Sequence, residues 1–289
     1  MKNLVVTADD FGAAAQVNDA VLDAHAHGIL TAASLMVSAP AAADAVACAR
    51  QTPSLRVGLH LVLVEGRPTL PPAQVPDLVD KDGYFRTDMA RAGAAMFFLP
   101  HVRRQLAAEI AAQFAAFAAT GLALDHVNAH KHFHLHPTIG GLIVQMAARY
   151  GVKGARVPLE PQGVLAKIEP HPASAVVALT TPFARRLARR FGRAGLAAPD
   201  QVFGLAWSGA MTPDRLAGLL AHLPDGLTEI YMHPATGNYP GCAEGYRYGE
   251  ELAALTDPRM PGLIAAHNIR LGGFCDFPVQ SAPRHPSGN

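Results

Sequence analysis

Cysteine is nearly absent from this chain. Its three thiols, Cys48, Cys242 and Cys275 in 289 residues, are too few and too widely spaced for a disulfide framework or a zinc-ribbon pattern. They fit a reducing, cytoplasmic setting. Charge is sparse as well: charged residues make up 16% of the chain and almost balance, leaving a net charge of +1. A nucleic-acid partner would require a basic field, and none is expected here. No run of about 18 apolar residues occurs, so no membrane-spanning helix is expected. The opening MKNLVVTADD is too short for a signal peptide and has no cleavage-like region. Nucleotide fingerprints are also missing: no GxGxxG follows the first apolar run, and no GxxxxGK precedes a Ser or Thr, which argues against a Rossmann or P-loop site.

What is present is apolar bulk, at 50% of the residues, enough to bury a large core as one domain. Short β-branched runs alternate with helical periodicity from end to end. Strands are expected at Asn3–Ala8, Ala32–Ser38, Leu55–Leu63, on the run leading into Asp125, and at Gly154–Leu159, Val202–Trp207, Leu227–His233 and Ile269–Phe274. Between them lie helices such as Ala13–His27 before Gly28, Pro100–Thr120 before Gly121, and Thr212–His222 with Thr212 as N-cap. Such alternation implies parallel βαβ units. Seven or eight of them in this length favour a TIM-like (β/α) barrel, with its site at the carboxyl ends of the strands. The expected domain is single, residues 1–289, with a Pro-, Asp- and Gly-rich insertion at about 65–100.

The densest chemistry lies in Asp125–Pro137, DHVNAHKHFHLHP, with five histidines. An extended backbone would put His130, His132 and His134 on one face; a helix would pair His130 with His134. Other polar groups end other predicted strands: Asp9 and Asp10 on the first, His60 on the third, Arg156 on the fifth, His233 on the seventh. Alone, the Asp pair would read as a helix cap, His60 as a packed rim residue, His233 as a strand end and Arg156 as one half of an ion pair. Together they converge at one end of a barrel. One Asp with two His is an open divalent-metal set, and the second Asp would be free to act as base. Adjacent strand residues face opposite ways, so a turn near Gly12 must reconcile Asp9 with Asp10. Spacing does not decide which histidine of the tract is the ligand. His233 suits a general acid, and Arg156 suits an orienting cation beside the base.

The motifs TADDFG, GLHLVL around His60, HxHxH and EIYMHP at His233 together, and in this order, resemble the YdjC-like carbohydrate deacetylases, which include chitooligosaccharide deacetylase. The resemblance spans essentially the whole chain. The texture of ILTAASLMV, VGLHLVLVEGRP and DHVNAHKHFHLHP is most similar to the hopanoid-biosynthesis-associated branch. The resemblance implies a (β/α) barrel and metal-dependent removal of an N-acetyl group from an amino sugar. It implies Asp9 as base, Asp10, His60 and His130 as metal ligands, His233 as acid and Arg156 as the group that steers Asp9. It points to magnesium, where donor softness alone would suggest zinc. Where related members often read D-S/G-H, this chain has Asn128-Ala129-His130, which weakens any supporting role for position 128; His134 is the fallback ligand.

The implied substrate is an N-acetylglucosaminyl hopanoid or, alternatively, a chitooligosaccharide or other N-acetylated sugar. Peripheral contact with the inner membrane is a further expectation, through Ala94–Leu99 and the arginines of 185–193, as is a homodimer. Two competing readings are another barrel hydrolase, such as an amidohydrolase or sugar phosphatase, and a non-catalytic carbohydrate-binding barrel. An amidohydrolase would carry HxH on its first strand, where this chain has TADD.

Overall fold

The β-branched opening of the chain forms the strand around which the sheet is built. The computed structural model of this chain describes residues 1–170 and 175–277, the side chains of 175–178 excepted. Among the described residues, the strands are β1 (Lys2–Phe11), β2 (Ala32–Leu35), β3 (Arg56–Leu61), β4 (Leu124–Ala129), β5 (Gly154–Ala155), β6 (Gln201–Phe203), β7 (Gly226–Met232) and β8 (Ile269–Leu271). The helices are α1 (Ala15–His27), α2 (Ala42–Gln51), α3 (Met89–Phe98), α4 (Pro100–Ala119), α5 (Pro137–Tyr150), α6 (Gln162–Ile168), α7 (Ala175–Arg193), α8 (Pro213–Ala221), α9 (Tyr248–Leu255) and α10 (Arg259–Ala266).

Every strand pairing is parallel, in the order β5-β4-β3-β2-β1-β7-β6. β1 takes β7 along Lys2–Ala8, β2 near its carboxyl end and β8 along Lys2–Leu4. The two sheet edges meet: Ala155 N donates to Ala197 O (2.9 Å), and Val202 N to Leu159 O (2.8 Å). The result is the expected barrel of parallel strands wrapped by helices.

Several strands are shorter than the sequence predicts, and for β5 and β6 the local reasons are plain. β5 stops before Val157-Pro158-Leu159, where Pro158 has no N–H to give and Leu159 N turns back onto Val157 O (2.8 Å). β6 stops at Phe203 because the next three amides, of Gly204, Leu205 and Ala206, donate to the buried Glu160 carboxylate instead (3.0 Å each). The segment 65–100 contains a single 3-10 turn at Pro72–Gln74 and then α3. Glu109 on α4 ties it down by accepting from Thr69 N and Leu70 N.

Inside the barrel, polarity changes along β1. Leu4 and Val6 face the helices and join the main core. Val5 faces inward and meets Ala32, Ala197, Phe274 and Phe277 in a separate apolar plug at the amino end. Two residues on, inward-facing Thr7 donates to Glu229 (2.9 Å), and two further, Asp9 meets Arg156. The amino end is therefore sealed by hydrophobic burial and the carboxyl end is left polar.

Candidate active site

Strand periodicity delivers most of the site. Alternate residues of β4 run His126, Asn128, then His130; those of β7 run Glu229, Tyr231, then His233 just past its end. Asp9, Ser34, His60 and Arg156 come inward from their own strands or strand ends. Gly58 on β3 makes room for them, since a Cβ there would lie 2.4 Å from His126 Nε2.

The inward groups form one directed hydrogen-bond chain. The Asp125 carboxylate accepts from Phe274 N (3.1 Å), Cys275 N (2.8 Å) and His126 Nδ1 (3.0 Å). Burial works against its charge, but His126 and the Cys275 amide hold its pKa down at about 2. His126 Nε2 is then an acceptor and takes the Ser34 hydroxyl (3.0 Å). Ser34 Oγ accepts from Asn128 Nδ2 (2.9 Å), which also donates to Asp9 Oδ1 (3.1 Å). Asn128 Oδ1 accepts from His60 Nδ1 (2.7 Å). The chain therefore fixes the His60 tautomer and leaves its Nε2 with a free lone pair. Asn128, whose departure from the related pattern argued against a supporting role, sits at the branch point of this chain.

Asp9 is 2% exposed. Burial would raise its pKa, but the Arg156 guanidinium, donating at 2.5 and 2.9 Å, holds it far below the usual carboxylate range. Arg156 also donates to Glu229 (3.0 and 2.7 Å) and lies over the Tyr231 ring. It is fully buried and bridges two carboxylates, so it sits behind Asp9 rather than on the cavity wall.

Asp10 turns inward because β1 bulges there. Its φ is +63°, the β1–β2 register shifts between Ala8 and Phe11, and Gly12 follows at φ +93°. The expected turn thus begins at Asp10 itself. Asp10 Oδ1 lies 3.3 Å from His60 Nε2 and 3.2 Å from His130 Nδ1, and those two nitrogens are 3.4 Å apart. Among the described residues this is the group able to hold a metal ion. Such a triangle fits: ligands at about 2.1 Å from one ion are about 3.0 Å apart in an octahedron and about 3.4 Å apart in a tetrahedron. Its electrostatics also fit a cation. Against the cost of burial, Asp10 is held ionised by His130, and Asp10 in turn raises the His130 pKa.

The rest of the histidine tract is neither strand nor regular helix. Lys131 and His132 adopt φ +53° and +54°, which separates His130 from its neighbours. His132 Nε2 pairs with Tyr231 Oη (2.9 Å). His134 is buried, and both its ring nitrogens lack a partner among the described residues. Burial, reinforced by Arg156, pushes its pKa down to about 3. His134, the fallback ligand, is not among the three side chains whose ligand atoms converge. His233 lines the cavity between the rings of Tyr231 and Tyr246. Its amide donates to Glu251, whose other oxygen takes Met211 N (3.0 Å).

The cavity measures about 910 Å³ and is lined by Asp9, Asp10, His60, His130 and His233 together with Tyr239, Tyr246 and Tyr248. An ion pair between Glu65 and Lys131 crosses its rim. Ser34, Glu229, Tyr231 and Glu251 are partners that the motifs do not single out, and Asn128 is one whose supporting role the motif comparison weakens. For three of them the signal was there: Asn128 alternates with His130, and Glu229 and Tyr231 alternate with His233.

Comparison with known proteins agrees with this architecture. Residues 3–266 match the family described as YdjC-like protein. A carbohydrate deacetylase from Geobacillus stearothermophilus is 33% identical over 279 residues, spanning 94% of this chain and 97% of its own. The Homo sapiens carbohydrate deacetylase is 31% identical and spans 98% of this chain and 95% of its own. A solved structure from Enterococcus faecalis V583, named for cellobiose-phosphate cleavage, superposes with a TM-score of 0.73 over 96% of this chain and 99% of that one; at 24% identity it speaks for the fold.

Proposed function

The chain belongs to the YdjC-like family, and from that premise we propose that it is a metal-dependent carbohydrate deacetylase that hydrolyses the N-acetyl group of an amino sugar. The reading assigns this sequence to one deacetylase domain, with 65–100 as an insertion in it. The observation that carries it is the Asp10–His60–His130 triangle set beside a buried, Arg156-paired Asp9. A divalent ion held by those three side chains would polarise the amide carbonyl and acidify water enough for a carboxylate as acidic as Asp9 to take its proton. Asp9 is the base, and its two hydrogen bonds from Arg156 fix which lone pairs face the cavity. Arg156 also keeps Asp9 ionised. His233, on the cavity lining, gives a proton to the departing amine. The tyrosine wall offers flat apolar faces for a pyranose ring. We take magnesium as the ion, following the family; zinc is the alternative that two imidazoles would favour.

The acceptor in this reading is a cytoplasmic N-acetylglucosaminyl hopanoid presented from the inner membrane; a soluble chitooligosaccharide is the alternative. Incubating each with the protein purified without added metal, and measuring released acetate and bound metal together, tests the reading. Acetate released in proportion to bound metal, and stopped by a chelator, is the expected result. No acetate from either substrate with magnesium or zinc restored would leave a sugar-binding barrel instead.

A further inference from the structure

The rim at the carboxyl end of the barrel carries an unusual surface. A helix that returns to a parallel strand starts at the carboxyl end of the sheet, so the first turns of α4, α5 and α7 lie at the same end as the cavity. At the α3–α4 corner, Phe97 is 46% exposed and Phe98 71%, followed by exposed Leu99. On α7, Leu179 is 73% exposed and Phe183 53%. The two patches flank the start of α5. Phe97 stacks edge-on with His136, which precedes it, with centroids 6.0 Å apart. Leu187 packs where Gly140 leaves space in its first turn, and Arg190 donates to Pro137 O (3.3 Å). Because α7 meets α5 at Leu187, its earlier turns run on past the start of α5. At 1.5 Å per residue, Leu179 stands roughly 12 Å further along the axis.

Charge is segregated in the same places. Residues 89–108 contain Arg91, Arg103 and Arg104 and no carboxylate; residues 179–199 contain five arginines and no carboxylate. In a chain of net charge +1, this is local design rather than a basic protein. Both helices have the same two tiers: an apolar tip, then a pair of exposed arginines further along, Arg103 and Arg104 on α4, Arg185 and Arg186 on α7.

We propose that this rim docks on an anionic phospholipid bilayer. The apolar tips of the α3–α4 corner and of α7 enter the acyl boundary, and the arginines below them meet the phosphates. The cavity opens on the same end, so a docked molecule faces an amide carried on a membrane lipid. Docking gives the deacetylase reading a location but does not depend on it, because vesicle binding is measured with no substrate present.

Flotation of the full chain with vesicles of phosphatidylethanolamine and phosphatidylglycerol, against vesicles of phosphatidylcholine alone, tests it. Binding to the anionic vesicles only, weakened by high salt, is expected. Arg185→Glu with Arg186→Glu should lower the bound fraction at least about tenfold. Phe98→Ser with Phe183→Ser should lower it comparably, with the thermal midpoint unchanged, since these side chains are exposed. Equal binding to both vesicle types, or none, overturns the proposal. So does a stable dimer that Phe98→Ser with Phe183→Ser dissociates, which would make the patch a contact between two copies of the chain.

Discussion

The site has a strand-borne half and a turn-borne half, and they are built on opposite principles. Asp9, His60, Asn128 and Arg156 project from extended backbone and are tied to one another by hydrogen bonds. Asp10, Lys131 and His132 lie on left-handed backbone at the ends of β1 and β4. The strand half holds charge in place: Arg156 is committed to Asp9 and Glu229 and cannot move without stranding both. The turn half lets chemistry converge. Neighbouring strands are about 4.8 Å apart, whereas Asp10, His60 and His130 bring their ligand atoms to within 3.4 Å, and Asp10 does so by leaving the ladder.

If the strand half supplies the proton chemistry, Asp9→Asn should lower acetate release by about 10²–10⁴-fold while metal content stays that of the wild type. Equal activity would move the base elsewhere, and lost metal would move Asp9 into the ligand set.

Behind the turn half, His134 should leave its mark on acid stability. Its pKa is about 3 in the folded chain and about 6.5 when unfolded. The unfolded state therefore binds more protons between those values. The stability at issue is fully present above about pH 6.5 and falls as pH drops toward 3, by up to about 1.4 kcal/mol per pH unit. His132 is shifted in the same direction. Urea unfolding across this range should show a shallower slope for His134→Leu; an unchanged slope would mean that His134 is not held neutral.

The smallest effect belongs to Lys131. Glycine at its φ of +53° removes Cβ strain of about 1 kcal/mol, and the half-exposed pair with Glu65 is worth about as much or less. Lys131→Gly should therefore leave the thermal midpoint level or slightly raised. A clear drop would show that the ion pair, not the backbone, holds the turn.

The same division explains what the sequence could reveal. Parallel alternation and its barrel follow from hydrophobic period, and so do the places where His60, Arg156 and His233 emerge, because strand geometry is regular. The left-handed residues obey no period. Nothing in HKHFHLH marks Lys131 and His132 as the turn that parts His130 from His134, so both the extended and the helical reading of the tract miss it. Asn128 departs in identity from the related pattern, yet its place two residues before His130 puts it on the inward face. Glu229, two residues before Tyr231 and four before His233, shares their inward face but lies within the strand, where the EIYMHP motif does not single it out.

Asp10 answers to two requirements that arise independently. Its backbone, at φ +63°, is comfortable for glycine and tolerable for Asn or Asp. Its position, 3.2 and 3.3 Å from two imidazole nitrogens, calls for a short anionic oxygen. Glycine and Asn meet the first demand alone, and Glu meets only the charge. The overlap contains one amino acid. Substitution at this position therefore has no neutral intermediate step, whereas Asp9, on ordinary extended backbone, is constrained by its chemistry only.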